Sequence, residues 1–244
     1  MASSAETKYE NKSLVKASVV IALGLVLCAL IVSISFVKVK GFGRTIAVTG
    51  AAYKPITSDY AVWEGTISVT APTMESASMR LKSDRRKTEA FLRDEGLTED
   101  DYEIRPVYIY KNYNREQVIT GYSLNQTVKV EMADVDRITR LAKRASSLID
   151  EGVEFNSMPP RYLFTGLDSL KLEMIQAATE NAKMRAEQLA RTTGREVGSP
   201  ASARVGVFQI RPLHSQEVSG MGMSDVSSIE KEIVSTVHVS FLID

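Results

Sequence analysis

One cysteine, two histidines and one tryptophan in 244 residues leave few groups for several kinds of chemistry. The single thiol, Cys28, cannot close an intramolecular disulfide or join a thiolate cluster, and it lies inside an apolar run. His214 and His238 have no second Cys or His at ligand spacing and no H-E-x-x-H arrangement, so no metal-binding residue is assigned. Charge of one sign is also lacking. Thirty Lys+Arg balance thirty Asp+Glu, which leaves no bulk positive field to attract nucleic acid. G-x-S-x-G, Walker A and a G-x-G-x-x-G following a strand are all missing. Asp100 and Asp101 follow Gly96 in a turn, where carboxylates cap or solubilise a loop rather than share a proton. The chain therefore reads as non-enzymatic, with no catalytic or cofactor-binding residue assigned and no cofactor implied.

What the sequence does hold is a long uncharged run. Residues 17–37, ASVVIALGLVLCALIVSISFV, carry no charge and are bracketed by Lys16 and by Lys38 and Lys40. A helix of this length, at about 1.5 Å per residue, covers the roughly 30 Å hydrocarbon core of a bilayer. Ser33-Ile34-Ser35 is a passable cleavage site, but the apolar stretch exceeds that of a secretory signal. Together with Lys8, Lys12 and Lys16, this length favours a retained signal-anchor. A lipoprotein reading of Cys28 is disfavoured because Leu27 precedes it. Lysines and arginines are nearly symmetric about the run, so charge does not orient it. Export of the folded part rests instead on the short polar N-terminus, residues 1–16. Residues 38–43, with Gly41-Phe42-Gly43, read as a linker.

The remainder, residues 44–244, alternates strand and helix signals. Residues 44–52 and 60–70 read as a hairpin around 54–59. Thr73 opens a helix with Ala77, Leu81, Thr88 and Phe91 on one side, ended by Gly96. Arg80, Lys82, Arg85, Arg86 and Lys87 form its solvated face, with a phosphate or lipid patch as the rarer reading. Tyr102, Ile104, Pro106, Tyr108 and Tyr110 read as one strand face. A turn at 112–116 then leads to a strand over 118–132. Cross-strand packing of the tyrosines is expected over base or sugar stacking.

Asp134 caps a helix with Val135, Ile138, Leu141, Ala145 and Leu148 in register, closed by Gly152. Residues 153–164 read as a strand broken by Pro159-Pro160, a doubled proline that fits an edge or a bend but not a central strand. The longest helix is expected over about 167–193, with Thr165 as cap. Its inner stripe reads Leu170, Met174, Ala178, Ala182, Ala186 and Leu189, with a Glu187–Arg191 pair outside. Residues 203–212 and 230–243 close the domain as strands. The Ser/Gly/Met-rich stretch 213–228 between them, with Met221 and Met223, reads as a mobile surface loop. On the last strand His238 shares a polar face with Thr236 and Ser240, opposite Ile233, Val237, Val239, Phe241 and Ile243.

The ordered set Val48-Thr49-Gly50, Trp63-Glu64-Gly65, 92–97 (LRDEGL), Gly121-Tyr122-Ser123, 127–130 (TVKV), 152–155 (GVEF) and 182–190 (AKMRAEQLA) resembles the SIMPL-domain family, the bacterial envelope group that includes periplasmic immunogenic proteins. The resemblance implies an α+β domain of two related units, each of antiparallel β-hairpins packed with long helices. It also implies an envelope location and a tendency to self-associate, and it brings no shared catalytic set. Joined to the apolar run, it gives one transmembrane helix followed by a SIMPL-like domain over 44–244. The expectation is a single-pass inner-membrane protein, a homo-oligomer with its soluble domain in the periplasm. It would act as a structural or stress-related protein, and the competing reading is a tethered module that binds a ligand or protein.

Overall fold

A computed structural model gives the fold and describes residues 18–19, 21–36, 44–215 and 221–243. The polar N-terminus at 1–16, the linker at 38–43, positions 17, 20 and 37 of the apolar run and part of the expected loop, 216–220, lie outside the described residues. Helix α1, residues 21–36, is apolar on every side, and all its side chains are exposed. Among the described residues no helix is long and apolar enough to cross a membrane. Residues 21–36 alone reach roughly 24 Å, short of the ~30 Å hydrocarbon core.

The elements that follow are β1 (Thr45–Thr57), β2 (Tyr60–Ala71), α2 (Met74–Asp94), β3 (Tyr102–Ile104), β4 (Tyr108–Tyr113), β5 (Ile119–Met132), α3 (Val135–Arg144), α4 (Ser147–Asp150), β6 (Phe155–Ser157), β7 (Arg161–Leu163), α5 (Leu167–Thr192), β8 (Val197–Val205), β9 (Gln209–Pro212), β10 (Met223–Ser224) and β11 (Glu230–Ile243). They form two compact units woven from separate stretches of chain. Of the described residues, one unit holds those before Ala51 together with 179–204 and 237–243, and the other holds 51–178 and those from Val205 to Thr236. This α+β architecture with antiparallel sheets agrees with expectation. The units are not two successive hairpin-and-helix segments, because β1, α5 and β11 each contribute residues to both.

The larger unit is organised by β2. One edge of β2 pairs antiparallel with β5 from Ala61↔Met132 to Ala71↔Tyr122, and the other edge pairs with β6 and β7. Its alternation places Ala61, Trp63, Ile67, Val69 and Ala71 on a buried face with Leu124, Val128 and Val130 of β5. Helices α2 and α3 cover this face with Ala77, Leu81, Leu92, Ile138 and Leu141. The opposite face is polar, stitched by the cross-strand pairs Thr66–Thr127 and Thr70–Ser123, each at 3.0 Å. Trp63 is fully buried, and its indole N–H donates to Ser157 Oγ at 3.0 Å. The Phe155 ring lies directly over Gly65, where an added Cβ would come within 2.1 Å of Phe155 Cζ.

Local signals set the helix ends. Thr73 accepts from the Ser76 N–H in a capping box, and Asp134 accepts from the Arg137 N–H. Gly96, Gly152 and Gly194 take φ of 78°, 80° and 68° just past α2, α4 and α5, a region where side chains carrying a Cβ are strained. In the smaller unit Ala182, Ala186 and Ala190 of α5 are buried with Val237, Val239 and Phe241 of β11.

Several expectations are corrected. β1 and β2 are not a hairpin: β1 pairs with β11, and the turn N–H groups of Ser58 and Asp59 donate to Ile229 and Leu163 carbonyls. The tyrosine strand divides into β3 and β4 around Pro106, which has no N–H to give the ladder. Thr165 does not cap α5; its N–H and hydroxyl both donate to the Asp59 carboxylate. The inner stripe of α5 ends on buried Ala190, while Leu189 is 50% exposed. Glu187 pairs with Lys183, not Arg191. The strand expected over 203–212 is broken at Gly206, whose N–H donates to Thr236 O, and the 213–228 stretch contains β10, paired parallel to β9.

The residue most at odds with its sequence environment is Lys231. It stands on the inner face of β11, in step with Ile233, and is 1% exposed. Its Nζ donates to the carbonyls of Tyr162 and Asp225, both at 2.6 Å, and so joins β7 to the segment after β10. Burial lowers the Lys231 pKa from its ordinary 10.5, and the nearby Asp225 opposes that shift.

Two outcomes follow from these contacts. Gly65→Val forces the Phe155 ring from its seat and is expected to cost about 1–3 kcal/mol in chemical denaturation. Combining it with Phe155→Leu should recover part of that loss, as a double-mutant cycle would show. Lys231→Met takes the ammonium donor from the buried Tyr162 carbonyl and the half-buried Asp225 carbonyl, an expected loss of about 2 kcal/mol near neutral pH. In the native protein, between the lowered Lys231 pKa and 10.5, the unfolded chain binds more protons than the folded one. Stability contributed by this group therefore rises with pH in that window, and a pH series of unfolding midpoints should show this increment vanish in Lys231→Met.

Candidate functional site

β4 pairs with residues 119–125 of β5 to form an edge arm that is backed by β2 at residues 122–125 and runs past it as two strands only at residues 119–121. The sequence YIYKNY, aromatic and β-branched with one charge, favours a strand, and the turn is closed by Asn114. Asn114 Oδ1 accepts from the N–H groups of Glu116 and Val118, both at 2.9 Å, while Gln117 adopts φ 61°. The β2 ladder stops at Tyr122, so residues 119–121 have no partner in β2. Among the described residues β4 pairs only with β5, which leaves its outer backbone edge open.

The side chains of this arm are its unusual feature. Tyr108 is 60% exposed, Tyr110 56% and Ile109 53%, and Tyr113, Val118 and Ile119 are also exposed. The expected cross-strand packing of the tyrosines fails for Tyr108 and Tyr110. Opposite them stand Asn125 and Ser123, too short and polar to cover a ring. Period-two reading followed one face only. The uninterrupted run Val107-Tyr108-Ile109-Tyr110, with no polar alternation, is the signal that both faces of the arm are apolar.

At the root of the arm a groove of about 300 Å³ opens between α2 and β4. Met74 and Leu81 come from α2, Val107 and Ile109 from the β4 side, and Leu124 with Gln126 from β5. The Gln126 side chain is buried, and its Nε2 donates to Arg105 O at 3.0 Å. The basic residues of α2 do not act alike. Arg85 pairs with Glu89 at 2.8 Å and Lys87 donates to Glu151 O, whereas exposed Lys82, on the wall of the groove, has no ion-pair partner among the described residues.

Other residues singled out in the sequence fall elsewhere. In the smaller unit His238 is exposed and shares a 2.8 Å hydrogen bond with Thr49, in a shallow groove of about 510 Å³ that also includes Arg204. Asp101 accepts from the N–H and hydroxyl of Thr98, contacts that hold its carboxyl below the usual range. Met221 is exposed and Met223 lies in β10. Cys28 is exposed on α1. Among the described residues no three His, Cys, Asp or Glu side chains come together.

A family model described as "SIMPL: Protein of unknown function (DUF541)" matches residues 46–241. No curated protein matches the chain. Among solved structures, a de novo designed protein, Foldit4, is 16% identical, covers 41% of this chain and 93% of its own, and has a TM-score of 0.21. The ligand-free regulatory subunit of aspartate kinase from Thermus thermophilus is 18% identical over 77% of this chain and 88% of its own, with a TM-score of 0.18. Superpositions this loose carry no argument about fold or function. The family match covers the order of elements from β1 to β11, and by it the chain belongs to the SIMPL family.

Proposed function

We propose that the chain is a non-enzymatic, self-assembling protein of the cell envelope, held at the cytoplasmic membrane by residues 17–37 with its SIMPL domain on the periplasmic side. The observation that carries the self-assembly reading is the β4–β5 arm. An unpaired strand edge with apolar side chains on both faces is a template for another strand, and β4 has no proline and a single charge, Lys111, along it. A second copy of the chain offers a matching edge. Pairing two such arms would satisfy the open N–H and C=O groups and cover Tyr108 and Tyr110 from water. The anchoring reading is supported by the run 17–37 and by the all-round apolar exposure of α1, a surface that water solvates poorly. A structural or stress-related role fits an assembling envelope protein. The second reading, a tethered ligand-binding module, is favoured by the groove at the arm's root.

Light scattering of residues 41–244, beside the full chain in detergent, tests the proposal. A discrete multimer is expected for both. The double substitution Tyr108→Glu/Tyr110→Glu should reduce it to the monomer with an unchanged circular dichroism spectrum. A wild-type monomer at every reachable concentration would sink assembly through the arm.

A further inference from the structure

We propose that the groove between α2 and the root of the arm binds a single-chain fatty-acid carboxylate. Its walls are apolar on both sides, Met74 and Leu81 facing Val107 and Ile109 across a floor that includes Leu124. Leu81 and Leu124 are buried, whereas Ile109 and Val107 remain exposed at the groove's mouth, as expected where an alkyl chain would complete the packing. At about 300 Å³ the groove stands at the low end of small-molecule sites, which suits one chain and not the two of a phospholipid.

The charge is complementary. No acidic side chain among the described residues lines the groove, and its α2 wall carries Lys82 and Arg85. The Arg85 guanidinium is held by Glu89, so Lys82 is the ammonium left to take a carboxylate in a charge-assisted hydrogen bond. A peptide occupant would bring backbone N–H and C=O groups needing partners. Besides the Lys82 ammonium, which can serve one carbonyl, the walls offer such a backbone only Ser78 and the Gln126 amide, whose Nε2 is already given to Arg105 O. An alkyl chain makes no such demand. The site lies on the Ile109 face of β4, opposite Tyr108 and Tyr110, so it does not rest on self-association.

The test uses the full chain in phospholipid nanodiscs with a dodecanoic acid bearing a terminal diazirine, and with the methyl ester of the same probe. After irradiation, cross-linked peptides are mapped by mass spectrometry. The acid is expected to label residues 74–85 and 107–124, saturably by excess dodecanoate. The ester, and the acid on Lys82→Glu, should label these peptides roughly tenfold less, the worth of one charge-assisted contact. Ile109→Trp, which fills the mouth, should abolish groove labelling. Both substituted residues are exposed, so the fold is not at risk and circular dichroism checks it.

Labelling confined to residues 21–36, or groove labelling equal for acid and ester, overturns the proposal as mere partitioning. Labelling that appears only in Tyr108→Glu/Tyr110→Glu also overturns it, because a second copy then occupies the groove. Selective acid labelling of a protein that is monomeric by light scattering would leave the groove site standing and remove self-assembly.

Discussion

The contact on which the larger unit depends is the seating of the Phe155 ring on the bare backbone of Gly65. β2 is paired along one edge by the long β5, but along the other only by β6 and β7, each three residues long. Three ladder pairs hold so short a strand weakly. The ring supplies the rest, tilted 41° against Trp63 at a centroid distance of 6.0 Å. Ser157, two residues along β6, receives the Trp63 indole N–H. The Trp63-Glu64-Gly65 and 152–155 segments, far apart in sequence, thus make a single joint.

That joint explains why part of the fold was legible. The caps at Thr73 and Asp134, the glycines at 96, 152 and 194, and the alternation of β11 are local devices, readable wherever they occur because each acts within one turn or one strand. Gly96 and Gly152 also lie in segments that carry the family resemblance. Pairing is not local. β1 and β2 are separated by two residues and read as a hairpin, yet the partner of β1 is β11, nearly two hundred positions away. Nothing in the alternation of either strand distinguishes the two outcomes.

The candidate site was legible only in fragments. Helical periodicity places Lys82 on a solvated face, and its position on the wall of an apolar groove depends on where β4 passes α2. Average strand behaviour gives the tyrosines of β4 cross-strand partners. Their true neighbours, Asn125 and Ser123, belong to a register fixed by the Asn114 turn. Lys231 was invisible for the opposite reason. A lysine on an inner strand face conflicts with binary patterning, and only the two carbonyls converging on it make the position tenable.

The Lys231 ammonium also bears on how the protein can vary. It grips the Asp225 carbonyl while β10 is zipped to β9 by Met223↔Gln209 and Ser224↔Ile210, so both ends of the chain between Pro212 and Met223 are pinned. Lengthening a segment whose ends are fixed costs little, growing only with the logarithm of its length. Between these pinned ends an epitope tag or fluorescent reporter can therefore be spliced in at little cost to either strand.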